Sequence, residues 1–235
     1  MKKIVNTIFA AVLVVAATLT ASAQSEQSRQ VSGFNGIASS GPFDVHVNIN
    51  GTESLKIRAN QDIINNIETV VEDGKLKIKF KHEHEWDNND HNDKIDVYVT
   101  AKSLSSLANA GSGSIKVEGA VSGSDVAIVL SGSGDIESSV KSGNLHANIS
   151  GSGSIKIKGT ADEAKVSIAG SGELNGKGLK TNSASVTIAG SGNAYFNADK
   201  TVSANIVGSG NVVYSGNATI SSSRTVGSGS VSKAD

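Results

Sequence analysis

The stretch GSGSIKIKGTADEAKVSIAGSGELNGKGLKTNSASVTIAGSG, residues 151–192, decides the fold. It holds three Gly-Ser-Gly triplets, beginning at Gly151, Gly170 and Gly190, and between them aliphatic and polar residues alternate. Period-2 alternation marks a strand with one buried face, and paired glycines mark a corner where positive φ is cheap. Outward from this stretch the triplet recurs at Gly111, Gly132, Gly208 and Gly227. Successive first glycines are therefore 21, 19, 19, 20, 18 and 19 residues apart. A period near 20 with a fixed corner is the signature of stacked coils.

Aligning the units on that first glycine exposes three aliphatic columns. Leu130, Ile149, Ile168, Ile188 and Ile206 stand two residues before it, and Ile128, Ala147, Val166, Val186 and Ala204 four before. Ile115, Ile136, Ile155, Leu174, Ala194, Val212 and Val231 stand four after. A second small column lies eight after, with Gly119, Gly159, Gly178 and Gly216, and with Val140 and Ala198 as exceptions. It predicts a second corner. Two corners joined by alternating strands make one rung of a parallel β-helix, its rungs ~4.8 Å apart. The fold expected is all-β: a right-handed, single-stranded parallel β-helix, the hand following the crossover rule. A β-propeller would need blades of ~40 residues. A disordered Gly-Ser tract would not keep aliphatic columns in step.

The first half is less regular. Phe43, Val45, Val47 and Ile49 alternate with polar residues until Asn50-Gly51 turns the chain, and Leu55 and Ile57 continue, as in a hairpin. A further hairpin is predicted from residues 67–71, the turn Asp73-Gly74, and Leu76, Ile78 and Phe80. Ile95, Val97 and Val99 form another strand leading to the first triplet. Only 5 of 26 glycines precede Gly111, so residues 24–110 are expected to cover one end of the solenoid rather than fold apart. The chain then reads as residues 1–23, a signal peptide, and 24–235, one domain whose 111–235 portion is the repeat.

Lys2 and Lys3, an apolar run over 8–19 and the small-x-small pattern Ala21-Ser22-Ala23 predict an export signal cleaved before Gln24. The run is shorter than the ~20 residues of a membrane span, so no membrane insertion is expected after cleavage. There is no cysteine, which closes the routes of disulfides and of lipid attachment through a thioether. Without Lys2 and Lys3, 19 basic residues face 22 acidic ones, a net −3 that speaks against nucleic acid as a partner. The expected location is the periplasm or the cell surface.

One resemblance sits on specific residues. Gly33-Phe34-Asn35-Gly36-Ile37, Phe43-Asp44-Val45-His46-Val47, Asp73-Gly74-Lys75-Leu76-Lys77-Ile78 and the repeated Gly-Ser-Gly-(Ser/Asp/Glu/Asn)-aliphatic units resemble the DUF2807 family. That family is described as the autotransporter adhesin "head GIN" domain of exported Bacteroidetes proteins. The resemblance runs from about Phe34 onward and implies a right-handed β-helix with an adhesin-like role. The chain shows no alternating ten-residue strands of a membrane barrel, so self-translocation is not expected.

Several groups could carry chemistry. Residues 82–93 gather His82, His84 and His91 with Glu83, Glu85, Asp87, Asp90 and Asp93, a set conceivable for zinc or calcium. Their spacing fits neither an EF-hand nor a zinc-helix motif, and a solvated loop is the plainer reading. Trp86 within it is either a sticky tip or packed on the sheet. Lys75, Lys77, Lys79 and Lys81 form a stripe that could hold an acidic polysaccharide, or simply a charged solvent face. Lys116, Glu137 and Lys156 fall in one outward column, where opposite charges on successive rungs attract. Asp135 and Glu173, both three residues after the first glycine and two rungs apart, lie at about 10 Å, near the separation of an inverting glycosidase pair. Ser114, Ser154, Asn193, Asn211 and Ser230 share that column, so polar turn residues explain it equally well.

No residue is therefore assigned as catalytic, metal-binding or cofactor-binding, and no cofactor is expected. The function expected is a non-catalytic binding module for a cell-surface glycan or protein. The alternative is a polysaccharide-acting β-helix enzyme, a glycoside hydrolase or lyase. A third expectation is end-to-end self-association through the last rung, near 226–231.

Overall fold

The computed structural model describes residues 24–81 and 94–234. The expected signal segment and the His82, His84 and His91 cluster with Trp86 lie outside the described residues.

Strand alternation in the first half gives β1 (Ser25–Arg29), β2 (Gly36–Ser40), β3 (Phe43–Ile49), β4 (Ser54–Ala59), the helix α1 (Gln61–Asn66), β5 (Ile67–Glu72), β6 (Lys75–Phe80), β7 (Ile95–Ala101) and β8 (Ser106–Gly111). The repeat gives one bent strand per coil: β9 (Ser114–Gly132), β10 (Asp135–Gly151), β11 (Ser154–Gly170), β12 (Glu173–Gly190) and β13 (Asn193–Gly208). The last coil is split into β14 (Asn211–Ser215) and β15 (Thr219–Val226), with β16 (Ser230–Lys233) following. Together they form a β-solenoid of about seven turns. Its coils pair in parallel from β9 through β16.

The triplet corner is the fixed point of the stack. Gly132, Gly151, Gly170, Gly190 and Gly208 are successive register partners. Gly170 shows why no other residue serves. Its φ is +119°, and a Cβ there would collide with the Gly151 carbonyl oxygen. That oxygen accepts N–H bonds from Ser171 and Gly172, both at 3.0 Å. The corner backbone therefore sits directly on the carbonyl of the coil below, in the space a side chain would fill. The three aliphatic columns point inward as expected; all their members are buried except Val231, which packs partly buried against the core.

The second corner does not stack as counting predicts. Gly119, Gly159 and Gly216 have positive φ, but Gly178 does not. Val140 and Ala198 are buried, with Val140 in register with Val121 and Gly159. The cause is coil length. Glu137 and Ser139 in β10 face Lys116 and Ala120 in β9, so the 21-residue coil holds two extra residues there. Lys156 and Lys158 face Asn175 and Gly178, which places the extra residue of the 20-residue coil at the same level. Unequal coil lengths are absorbed mid-coil, and positions counted past that point fall out of step.

The first half departs from expectation in two ways. β3 and β4 are not a hairpin: β7 lies between them, parallel to β3 and antiparallel to β4. The Asn50-Gly51 turn therefore spans two strand spacings rather than one. Nor is this half merely a cover. β2 pairs in parallel with β6 and β8, while β3 pairs in parallel with β7 and β9, so these strands extend both walls of the solenoid. The second predicted hairpin is present, β5 against β6, with φ of +50° at Asp73 and +70° at Gly74 as a tight primed turn requires. Closure falls to β1, β4, α1 and β5. Ile63 and Ile64 of α1 are buried at this end of the core, where α1 packs against β1 and β4. The Arg29 guanidinium donates to the carbonyls of Ile64 at 3.0 Å and Ile67 at 2.8 Å, and to Thr69 Oγ1 at 3.1 Å. One apolar core runs from Phe34 to Ala218.

Candidate functional site

The strands that follow each corner build a front wall in the order β1-β4-β7-β3-β9-β10-β11-β12-β13-β14-β16. Alternation buries every second side chain, so the rest stand outward in ladders. One ladder reads Lys56, Tyr98, His46, Lys116, Glu137, Lys156, Asn175 and Tyr195, each the register partner of the next. The Lys116, Glu137 and Lys156 column read from the sequence is the middle of it. Lys156 Nζ lies 3.2 Å from Glu137 Oε1, the attraction expected between successive rungs.

Two concavities open along this ladder. The larger, about 440 Å³, is lined among others by Lys56, Tyr98, His46, Lys116 and Glu118. The smaller, about 260 Å³, is lined by Glu137, Lys156, Lys158, Asn175 and Lys177 among others. Lys116 and Glu137 are register partners, so the two concavities lie next to each other along the ladder, and together they are the furrow. Tyr98 is 40% exposed and stacks on the His46 ring at 5.0 Å between centroids. At the other end Lys177 Nζ sits 5.0 Å from the centre of the Tyr195 ring.

Beside the larger concavity, in register with Asp44, Asp96 is almost fully buried. Its Oδ1 lies 3.0 Å from His46 Nε2 and 2.9 Å from Lys94 Nζ. Burial alone would push the Asp96 carboxyl up, but hydrogen bonds from Lys94 and His46 outweigh it and hold the group below the usual aspartate value. Asp96 thereby fixes the His46 ring against Tyr98.

The neighbouring ladder contains Asp44, Ser114, Asp135, Ser154, Glu173, Asn193, Asn211 and Ser230. Asp135 and Glu173 thus share a column with Ser154 between them, two rungs apart as the sequence predicts. Their column-mates bond along the stack: Ser114 Oγ donates to Asp44 Oδ1 at 2.7 Å, Asn211 Nδ2 to Asn193 Oδ1 at 3.1 Å, and Ser230 Oγ to Asn211 Oδ1 at 2.8 Å. Inter-coil hydrogen bonding accounts for the polarity of Asp44, Ser114, Asn193, Asn211 and Ser230 in this column.

The lysine stripe Lys75, Lys77, Lys79 and Lys81 lies on the other wall and is largely matched by acid from β5. Lys77 Nζ is 2.6 Å from Glu72 Oε2, and Lys79 Nζ is 3.4 Å from Glu68 Oε2. Lys81 Nζ donates to the Asn65 carbonyl at 2.5 Å. Among the described residues, no group of three or more His, Asp or Glu is placed to hold a metal ion. Also among the described residues, no helix is long and apolar enough to cross a membrane.

Reasoning from sequence did not identify Tyr195, Lys158 and Lys177 as site residues, although counting reaches them: Tyr195 stands five residues after Gly190, in the column of Lys156. Tyr98 and Lys56 had no such signal, because only the insertion of β7 brings them beside His46.

Residues 33–218 match the family described as "putative auto-transporter adhesin, head GIN domain", and the chain belongs to that family. Three crystal structures have a similar fold. A "putative adhesin" from Bacteroides fragilis has a TM-score of 0.81 at 23% identity, over 90% of this chain and 97% of that one. A "putative lipid binding protein" from Parabacteroides distasonis gives 0.72 at 26%, over 91% and 97%. A "putative adhesin" from the same species gives 0.69 at 25%, over 90% and 97%. No curated protein is similar enough to count as a match.

Proposed function

We propose that this member of the head GIN family is an exported, non-catalytic binding module that displays its front wall to a cell-surface glycan or protein, in the periplasm or at the cell surface. The observation that carries this reading is the furrow. It comprises two neighbouring concavities on one rigid sheet, and it is lined by lysine, tyrosine, histidine and asparagine side chains that the core does not need. A sheet whose corners are locked by inter-coil hydrogen bonds keeps such groups in place without a ligand, which lowers the ordering cost of binding. Its family membership and its adhesin-named structural neighbours support the same role. The basic, apolar and small-residue segments at 1–23 support export.

Residues 24–235 printed against a glycan array, with Asp135→Ala and Glu173→Ala beside them, test the reading. We expect retention of one glycan class by all three proteins, with the mass of the retained glycan unchanged. Shortening of that glycan by the wild-type chain, lost in either variant, would make the protein an enzyme instead. Protease shaving of intact cells decides between the surface, where the chain is cut, and the periplasm, where it survives.

A further inference from the structure

The furrow is long and richer in cations than the chain that carries it. The ladder along which it lies runs from Tyr98 to Tyr195 through six register steps, roughly 29 Å at ~4.8 Å per step. Lys56, Lys116, Lys156, Lys158 and Lys177 line it, against the carboxylates of Glu118 and Glu137, and Lys56 is also 3.3 Å from Glu26 Oε2. That local excess of positive charge belongs to a chain whose formal net charge is −1. Glu137 is engaged by Lys156, while Lys158 and Lys177 line the same smaller concavity. Along the corner side of the furrow stand Asp44, Asp135 and Glu173, a fixed line of negative charge one column away.

From these we infer that the furrow is a track for an extended acidic polysaccharide that lies across the coils. This rests on the binding-module reading above and specifies its ligand. A single small anion would use one concavity; two that lie next to each other along a ladder suit a polymer that contacts several coils. Lysines spaced by rungs meet carboxylates spaced along a sugar chain, and each contact is weak alone but they add along the length. Tyr98, 40% exposed in the larger concavity, gives the apolar face of a sugar ring something to pack on. The acidic column repels the same polymer from the corner side and holds it over the lysines, so repulsion helps set its path.

The test uses residues 24–235 with oligogalacturonates of increasing length, neutral dextran and vesicles of phosphatidylglycerol, read by calorimetry at two salt concentrations. We expect affinity to rise with oligomer length until the chain spans the furrow and then to level off. It should weaken as salt rises. Dextran and vesicles should bind far less. The triple variant Lys156→Gln, Lys158→Gln, Lys177→Gln should bind at least tenfold more weakly. Lys165→Gln, on the opposite wall, should match the wild type. Circular dichroism of each variant shows whether its fold is intact, and the pair Lys56→Gln, Lys116→Gln reads the other end of the track independently.

The inference is overturned if galacturonic acid monomer binds as tightly as the long oligomer, or if folded lysine variants bind unchanged. Vesicle binding that exceeds oligogalacturonate and needs the same lysines would assign the furrow to a membrane surface, and also overturns it. Retention of a neutral glycan on the array, untouched by these substitutions, would leave the binding-module reading standing and sink only the acidic track.

Discussion

The corner glycine and the serine beside it differ sharply in what they hold up. Gly170 sits at φ +119° above the Gly151 carbonyl, while Ser171 is exposed at the tip. Gly170→Ala should therefore cost at least about 3 kcal/mol, from backbone strain and from collision with a carbonyl that cannot retreat. Ser171→Ala should stay within about 0.5 kcal/mol. Urea titration of both variants checks this, with an unchanged m-value showing that the same unfolding is compared. Asp96 predicts a pH dependence. Its folded value lies below the ordinary 3.8 because Lys94 and His46 bond the charged form. A depressed carboxyl stabilises above its unfolded pKa, and that contribution is lost as pH falls from about 5 through the depressed folded value. Asp96→Asn should cost about 1–2 kcal/mol at pH 7 and flatten the acid limb of the stability curve, since the group that gains a proton is gone.

At the scale of the coil, the two bends have different tolerances. The triplet corner keeps register through every coil, whereas the mid-coil level already hosts two extra residues in β9 relative to β10. Inserting Gly-Ser between Ser138 and Ser139 would give β10 the excess that β9 has, and should cost about 1 kcal/mol or less. The same insertion between Ser171 and Gly172 would pull the N–H of Gly172 from the Gly151 carbonyl and shift every later coil, so the chain should lose its cooperative melt. Thermal scans of the two insertions distinguish these outcomes. This asymmetry also sets what the sequence could reveal. The inward columns around the triplet were legible because burial and alternation there repeat with a fixed phase. The Gly119 to Gly216 column was misread because the count crosses the level where coil lengths differ. The position of β7 was not legible at all. Its partner strands β3 and β4 flank a turn that reads as a hairpin, and nothing local says that a strand some 45 residues later will slide between them. The site followed the same rule: Lys116, Glu137 and Lys156 were found inside the regular repeat, and Tyr98 with Lys56 was not.

The whole molecule behaves as a stack in which each coil bonds the one above and the one below, so its two ends are not equivalent. At one end α1, Arg29 and the antiparallel strands β1, β4 and β5 close the core and occupy backbone groups that would otherwise be free. Removing residues 193–235 would leave that closure intact and expose one new edge, on β12. Removing residues 24–110 would leave β9 paired with β10 but strip it of its partners on the other side, β3 and β8, and open Ile115, Val117, Ile128 and Leu130 to water. Fragment 24–192 should therefore fold, with a strand-type circular dichroism spectrum and a single melt at a lower temperature than residues 24–235. Fragment 111–235 should be unfolded or aggregate through its bare edge. This pair of fragments also tests whether residues 24–235 are one domain, as we propose. If fragment 111–235 folded as a monomer with its own sharp melt, the repeat would be a separate unit, and the first half an addition to a stack that does not need it.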